Sequence, residues 1–250
     1  MNRAGFELEL ARLIRDHELP DSYHDLANRF YKPLIVWLLE RIDRLDGETY
    51  VLGIYGAQGS GKSTLAELLF RYLTIAEGRS VANISLDDFY LTRKERRQLA
   101  CEVHPLLASR GPPGTHDVGL ALATLNRAKT LSNGELMTVP RFDKASDDRK
   151  PAAEWSSVSG PVDVVVLEGW CLGCAAVEPK RLLEPINELE REEDKDGTWR
   201  RYVNDSIAAY QPLFELIDGL VMLKTAKFDA VLDWRYEQER KLRMSQHSSE

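Results

Sequence analysis

Cysteine is scarce. Its three positions, Cys101, Cys171 and Cys174, are an odd number and too few for a disulfide framework. Long apolar runs are missing as well. The strongest, residues 162–167, falls far short of a membrane span. The amino terminus, MNRAGFELELARLIRD, is charged throughout and has no apolar signal-peptide region. Positive charge is in deficit: 33 Lys and Arg face 40 Asp and Glu, for a net charge of −7. Binding to a nucleic-acid backbone needs a clustered basic face, so that class is disfavoured, while a local basic pocket for one phosphorylated ligand remains compatible. Internal repeats are absent, and so is the N-K-x-D motif with which a GTPase reads its base. These absences lead to the expectation of a soluble, cytoplasmic protein with no nucleic-acid or membrane partner.

What remains is ordinary globular material, 43% hydrophobic and 29% charged over 250 residues. At about 150 residues per domain this suggests one large domain over 1–250. Residues 1–47 form a helical segment, with Leu8, Leu10, Leu13 and Ile14, then Leu34, Ile35, Leu38, Leu39 and Ile42, recurring at helical spacing and broken at Pro20-Asp21. From 48 to 250 strand patterns (50–55, 80–86, 136–139, 162–167, 219–224) alternate with helical ones (62–76, 120–131, 200–210, 228–243). That alternation predicts an α/β fold with a central, mainly parallel sheet of about five strands, flanked by helices on both faces. Residues 104–117 and 140–161 break it, and long loops of this kind often contact substrate. The acidic stretch 185–201 reads as solvated surface.

The strongest local signal is Gly56-Ala57-Gln58-Gly59-Ser60-Gly61-Lys62-Ser63, followed by Thr64. It matches G-x-x-x-x-G-K-[ST] between a strand and a helix. Glycines let successive N–H groups curl around phosphate oxygens, and the helix N-terminus adds partial positive charge. Lys62 would reach the β- and γ-phosphates, and Ser63 would hold Mg²⁺. Asp87 and Asp88 follow the 80–86 strand at its carboxyl end, where ligands collect in parallel sheets. Asp87 suits an acceptor of the hydroxyl proton or a magnesium partner. Asp88 fits a helix N-cap nearly as well. Glu168 closes the apolar 162–167 run, the position of a Walker-B-type carboxylate, where Asp is more usual. Cys171-Leu-Gly-Cys174 is a lone C-x-x-C without a second pair, and reads as packing residues.

Together these residues resemble the phosphoribulokinase/uridine kinase group of P-loop kinases, and within it the D-glycerate 3-kinase-like branch. The resembling strings are GIYGAQGSGKST, SLDDFYLT, RGPPGTHD, VPRFDKASDDR, VVLEGWCLG and WRYEQERKLR, in that order from about residue 50 to 243. The resemblance implies a P-loop NTPase fold and transfer of the ATP γ-phosphoryl group to a hydroxyl of a small metabolite. D-glycerate, giving 3-phosphoglycerate, is the first expectation. A nucleoside, pantothenate or another sugar acid is the alternative, and a non-catalytic ATP-binding regulatory protein is the alternative from another class. On these matches Asp87 and Lys62 are catalytic, and Ser63 and Glu168 hold Mg²⁺. Asp88, Tyr90, Arg110, His116, Asp117, Arg141, Asp143 and Lys144 approach the acceptor. An anionic acceptor suits Arg110, Arg141 and Lys144, because a carboxylate needs a fixed cationic partner. Arg235, Arg240 and Arg243 lie on a helix read either as a lid over the phosphoryl group or as a solvated charged face. Members of the group continue past such a helix, so the resemblance implies either a product or fragment truncated relative to the group or a C-terminal closure built differently.

Overall fold

The computed structural model describes residues 1–225. Helices α1 (Arg3–Asp16), α2 (Ser22–Leu26) and α3 (Lys32–Arg44) open the chain, with a π-helical turn at Ala27–Tyr31 between the last two. Strand β1 (Tyr50–Gly56), α4 (Lys62–Arg71) and β2 (Val81–Ser85) follow. Next come α5 (Arg93–Glu102), α6 (Val118–Lys129), and strands β3 (Leu136–Val139), β4 (Phe142–Asp143), β5 (Asp148–Arg149) and β6 (Ser156–Ser159). The described chain ends with β7 (Val164–Gly169), α7 (Glu188–Glu193), α8 (Thr198–Phe214) and β8 (Gly219–Leu223).

Two compact units share these elements. The first comprises Met1–Asn83, Asp163–Leu172 and 218–225 of the described residues; the second comprises Ile84–Val162 and Gly173–Ile217. Among the described residues, four strands in the order β2-β7-β1-β8 make the sheet of the first unit, where the sequence pattern suggested about five. β1 runs parallel to both neighbours, with Ile54 opposite Glu168 on β7 and Val221 on β8. The strands are apolar on both faces, as a parallel sheet requires. Tyr50, Leu52, Ile54, Val164 and Val166 join a core with Phe6, Leu10 and Leu13 of α1, Ile35, Leu38 and Ile42 of α3, and Leu65, Leu68 and Leu69 of α4. Val51, Val165 and Leu167, which alternate with them, are fully buried too. Leu8 departs from its expected role: it is exposed on α1, and Phe6 takes the inward position.

In the second unit the long loops gain structure of their own. β3 and β6 pair as one antiparallel ribbon, and β4 and β5 as another. The stretch 185–201 is not solvated surface throughout. Asp194 is completely buried, accepts the N–H groups of Trp199 (2.8 Å) and Arg200 (3.1 Å), and pairs with the Arg200 guanidinium at 3.0 Å. It therefore fixes the start of α8, whose first N–H groups have no partner within the helix. Its acidic neighbours mask this in the sequence.

Candidate active site

β1 delivers the chain into the glycine loop at Gly56, and α4 begins at Lys62. Gly59 and Gly61 have φ of 76° and 89°, a left-handed conformation that a side chain would strain, so the loop needs glycine there. Lys62 Nζ donates to the Ala57 carbonyl at 2.9 Å, folding the ammonium back across the loop. The Ser60 hydroxyl is buried with no hydrogen-bond partner. Ser63, on the first turn of α4, donates its hydroxyl to Glu168 Oε1 at 3.2 Å. Glu168 is only 8% exposed at the end of β7. A hydroxyl and a carboxylate side by side are hard oxygen donors, the set a partly hydrated Mg²⁺ accepts. Among the described residues there is no cluster of three or more His, Cys, Asp or Glu that would hold a metal by itself. The two oxygen donors of Ser63 and Glu168 would fit Mg²⁺.

The second unit gathers the other candidates. Asp87 lies in the 3₁₀ turn Leu86–Phe89, which follows β2 directly. Its Oδ1 accepts the Tyr90 hydroxyl at 3.1 Å, and its Oδ2 accepts Lys144 Nζ at 2.8 Å. Burial pushes this carboxyl up, but Lys144 and the hydrogen bonds outweigh it and hold the group below the usual carboxylate range. Asp88 is not a helix N-cap; Thr92 caps α5 in a capping box with Glu95. Asp88 instead clamps the start of β4, accepting from Arg141 Nη1 at 2.6 Å and from Phe142 N at 3.0 Å.

RGPPGTHD lies beside this turn. Asp117 N donates to the Phe89 carbonyl at 2.7 Å and Leu91 N to Thr115 at 2.9 Å, bracketing a single bridge between Tyr90 and His116. Tyr90 and His116 are both buried, and their rings stack at 4.3 Å. Burial lowers the His116 pKa to about 4, so its ring is neutral at pH 7. Asp117 caps α6 through Leu120 N at 2.9 Å, and its other oxygen lies 3.4 Å from Arg149 Nη2. Asp143 accepts the N–H groups of Ala145 and Ser146, closing the turn that carries Lys144.

Every cation expected to meet an anionic acceptor is paired within this unit: Lys144 with Asp87, Arg141 with Asp88, and Arg110 with Asp147. Asp147 also holds Arg96, a fully buried guanidinium that donates to three backbone carbonyls. Arg96, Asp147, Arg149 and Tyr210 went unnoticed in the sequence. The first three lie in or near the matched strings, but Tyr210 lies in a helix with no motif. Arg235, Arg240 and Arg243 lie outside the described residues.

No family model matches the chain. It is 36% identical over 220 residues to mug58, an uncharacterised kinase of Schizosaccharomyces pombe, covering 85% of this chain and 78% of that protein. It is 31% identical over 250 residues to the chloroplastic D-glycerate 3-kinase of Arabidopsis thaliana, covering 92% of this chain but only 52% of the plant protein. Among solved structures, a D-glycerate 3-kinase from Cryptococcus neoformans superimposes with a TM-score of 0.74 at 28% identity, covering 86% of this chain and 80% of that one.

Proposed function

Because the chain belongs to the P-loop kinase family that includes the D-glycerate 3-kinases and uridine kinases, we propose that it phosphorylates a small hydroxy acid with ATP. D-glycerate, giving 3-phosphoglycerate, is the acceptor we favour. The observation that carries this reading is the state of Asp87: a carboxylate held ionised and oriented by Tyr90 and Lys144, in the turn after β2. The similarity to two D-glycerate 3-kinases supports the choice of acceptor.

In this reading the loop amides, the N-terminus of α4 and Lys62 bind the triphosphate. Ser63 and Glu168 would hold a magnesium ion, which would supply neutralisation of the phosphate charge. Asp87 orients the acceptor hydroxyl and takes its proton as the oxygen–phosphorus bond forms. The bond from the γ-phosphorus to ADP breaks in the same displacement. Lys144 serves as the counter-ion of Asp87, and Arg110 receives the acceptor carboxylate in exchange for Asp147.

The test is a panel of D-glycerate, gluconate, pantothenate and uridine with γ-labelled ATP. Label should pass to D-glycerate and be lost in Asp87→Asn, with ATP affinity kept within a few fold. Transfer to another member of the panel would replace the acceptor while keeping the kinase. Loss of ATP binding in Asp87→Asn would move that residue to nucleotide binding or folding.

A further inference from the structure

We propose that Tyr210 is a positioning residue of the acceptor site. It sets the His116 imidazole in the tautomer with the proton on Nε2, so that the ring offers a neutral N–H to an oxygen of the acceptor. The proposal rests on the reading above, extended to His116 as one of the residues that the resemblance brings to the acceptor.

The geometry around Tyr210 carries the inference. Its side chain, 1% exposed on α8, meets two groups of the RGPPGTHD segment at once. The Gly114 N–H donates to the phenol oxygen at 3.0 Å, and His116 Nδ1 lies 2.8 Å from the same oxygen. A backbone N–H is only ever a donor, so it occupies a lone pair of that oxygen. The single phenol hydrogen is then best directed to Nδ1, which becomes the acceptor. A neutral imidazole has one N–H, and it must fall on Nε2. Burial holds the ring neutral, so the alternative with both nitrogens protonated is not populated near pH 7.

Two further observations suggest that this arrangement serves more than packing. Nε2 is buried with no hydrogen-bond partner, a costly state for an N–H unless a ligand relieves it. The ring cannot turn to relieve itself, because it stacks on Tyr90 and meets Tyr210 edge-on. Gly114 is closed against the same helix: at φ 93°, a Cβ there would lie 2.6 Å from Ser206 Oγ and from a ring carbon of Tyr202. α8 thus holds the backbone of the segment, and the Tyr210 hydroxyl adds the choice of tautomer. A neutral N–H recognises an oxygen lone pair, as on a carboxylate or hydroxyl, and does not match an ammonium group.

The experiment is a two-bond ¹H–¹⁵N spectrum of the full chain labelled in its five histidines. His116 is identified as the imidazole whose signals are missing from the spectrum of His116→Gln. The expected pattern has Nδ1 bare and Nε2 protonated; a protonated Nδ1 overturns the proposal. Tyr210→Phe keeps the ring and should lose that pattern. Its KM for D-glycerate should rise about tenfold, with kcat and the KM for ATP within about twofold. A variant that keeps both the tautomer and the KM overturns the proposal. If Tyr210→Phe does not fold, the wild-type spectrum decides alone. If no panel compound is phosphorylated but the tautomer is present and lost in the variant, the acceptor reading fails and the positioning role stands.

Discussion

Lys144→Met tests whether Lys144 tunes Asp87 or binds substrate. The substitution removes a cation 2.8 Å from Asp87 Oδ2 and leaves the Tyr90 hydrogen bond in place. Lys144 is 58% exposed and Asp87 27% exposed, so solvent screens much of their attraction. Exposed pairs contribute roughly 0.2–1 kcal/mol, and the partly buried carboxylate puts this one near the top of that range. Its loss should move the Asp87 carboxyl back up toward the usual carboxylate range. Lys144 lowers this pKa, so its removal must raise it, and activity that needs ionised Asp87 is then lost at a higher pH as the solution is acidified. The assay is kcat/KM for the acceptor against pH at saturating ATP, wild type beside variant. ATP titrates alike in both, so the difference between the acid limbs reads Asp87. Near pH 7.5 Asp87 is ionised in both proteins, and kcat should change by less than about threefold. An acid limb that stays still while the acceptor KM rises more than tenfold would refute the counter-ion role and make Lys144 an acceptor contact.

Glu168→Gln should leave β7 folded but raise the Mg²⁺ concentration needed for half-maximal rate by about tenfold or more, because the carboxylate proposed to hold magnesium becomes an amide; an unchanged Mg²⁺ dependence would remove Glu168 from the proposed metal site. Arg110→Gln should raise the KM for a carboxylate acceptor by about 10- to 100-fold and spare the KM for ATP, since a charge-assisted pair is lost; equal losses for a neutral analogue would show that Arg110 does not read the carboxylate. Asp194→Ala strips the buried Arg200 of its partner and should cost about 3–5 kcal/mol in denaturant unfolding. His116 has a folded pKa of about 4 against 6.5 for the free side chain, so the unfolded chain binds its proton first. Its contribution to stability is intact above about pH 6.5 and is lost as pH falls toward 4. His116→Gln should flatten that part of the stability profile, and an identical slope would contradict a buried neutral ring.

The glycine loop was legible because its function is written in the backbone. Gly59 and Gly61 must adopt left-handed φ, and the strand before and helix after show their own periodicities. The Ser63–Glu168 pair was legible for a related reason: each sits at the end of a strongly patterned element, 105 residues apart in the chain but on adjacent strand-and-helix termini of one sheet. The second unit was harder to read. Its loops carry acids and bases in nearly equal supply, and composition does not say which carboxylate closes on which cation. Asp194 looked like one acid among many, yet it is the one turned inward, toward Arg200. Tyr210 acts on Gly114 and His116 from 96 and 94 residues away, and no local pattern foretells such a pairing.

The pairing of these charges bears on how an anionic acceptor would be admitted. A carboxylate that takes a cation from an aspartate leaves that aspartate to be satisfied, and the cost differs among the three candidates. Among the described residues, losing Arg141 would leave Asp88 with the Phe142 N–H, and would loosen the clamp on β4. Losing Lys144 would raise the pKa of the group proposed to take the proton. Arg110 is different, because Asp147 keeps the side-chain pairing of Arg96 at 2.9 Å when Arg110 leaves. Arg96 cannot leave in its place, being fully buried and bound to the carbonyls of Leu91, Ala108 and Asp147. Arg110 is about a third exposed and rests over the Phe142 ring at 5.7 Å, a contact that survives a change of carboxylate. Among the three, it is the cation that an incoming carboxylate displaces at least expense. The Arg96–Asp147 pair would then act as a fixed support, keeping a partner in place for the return of Arg110.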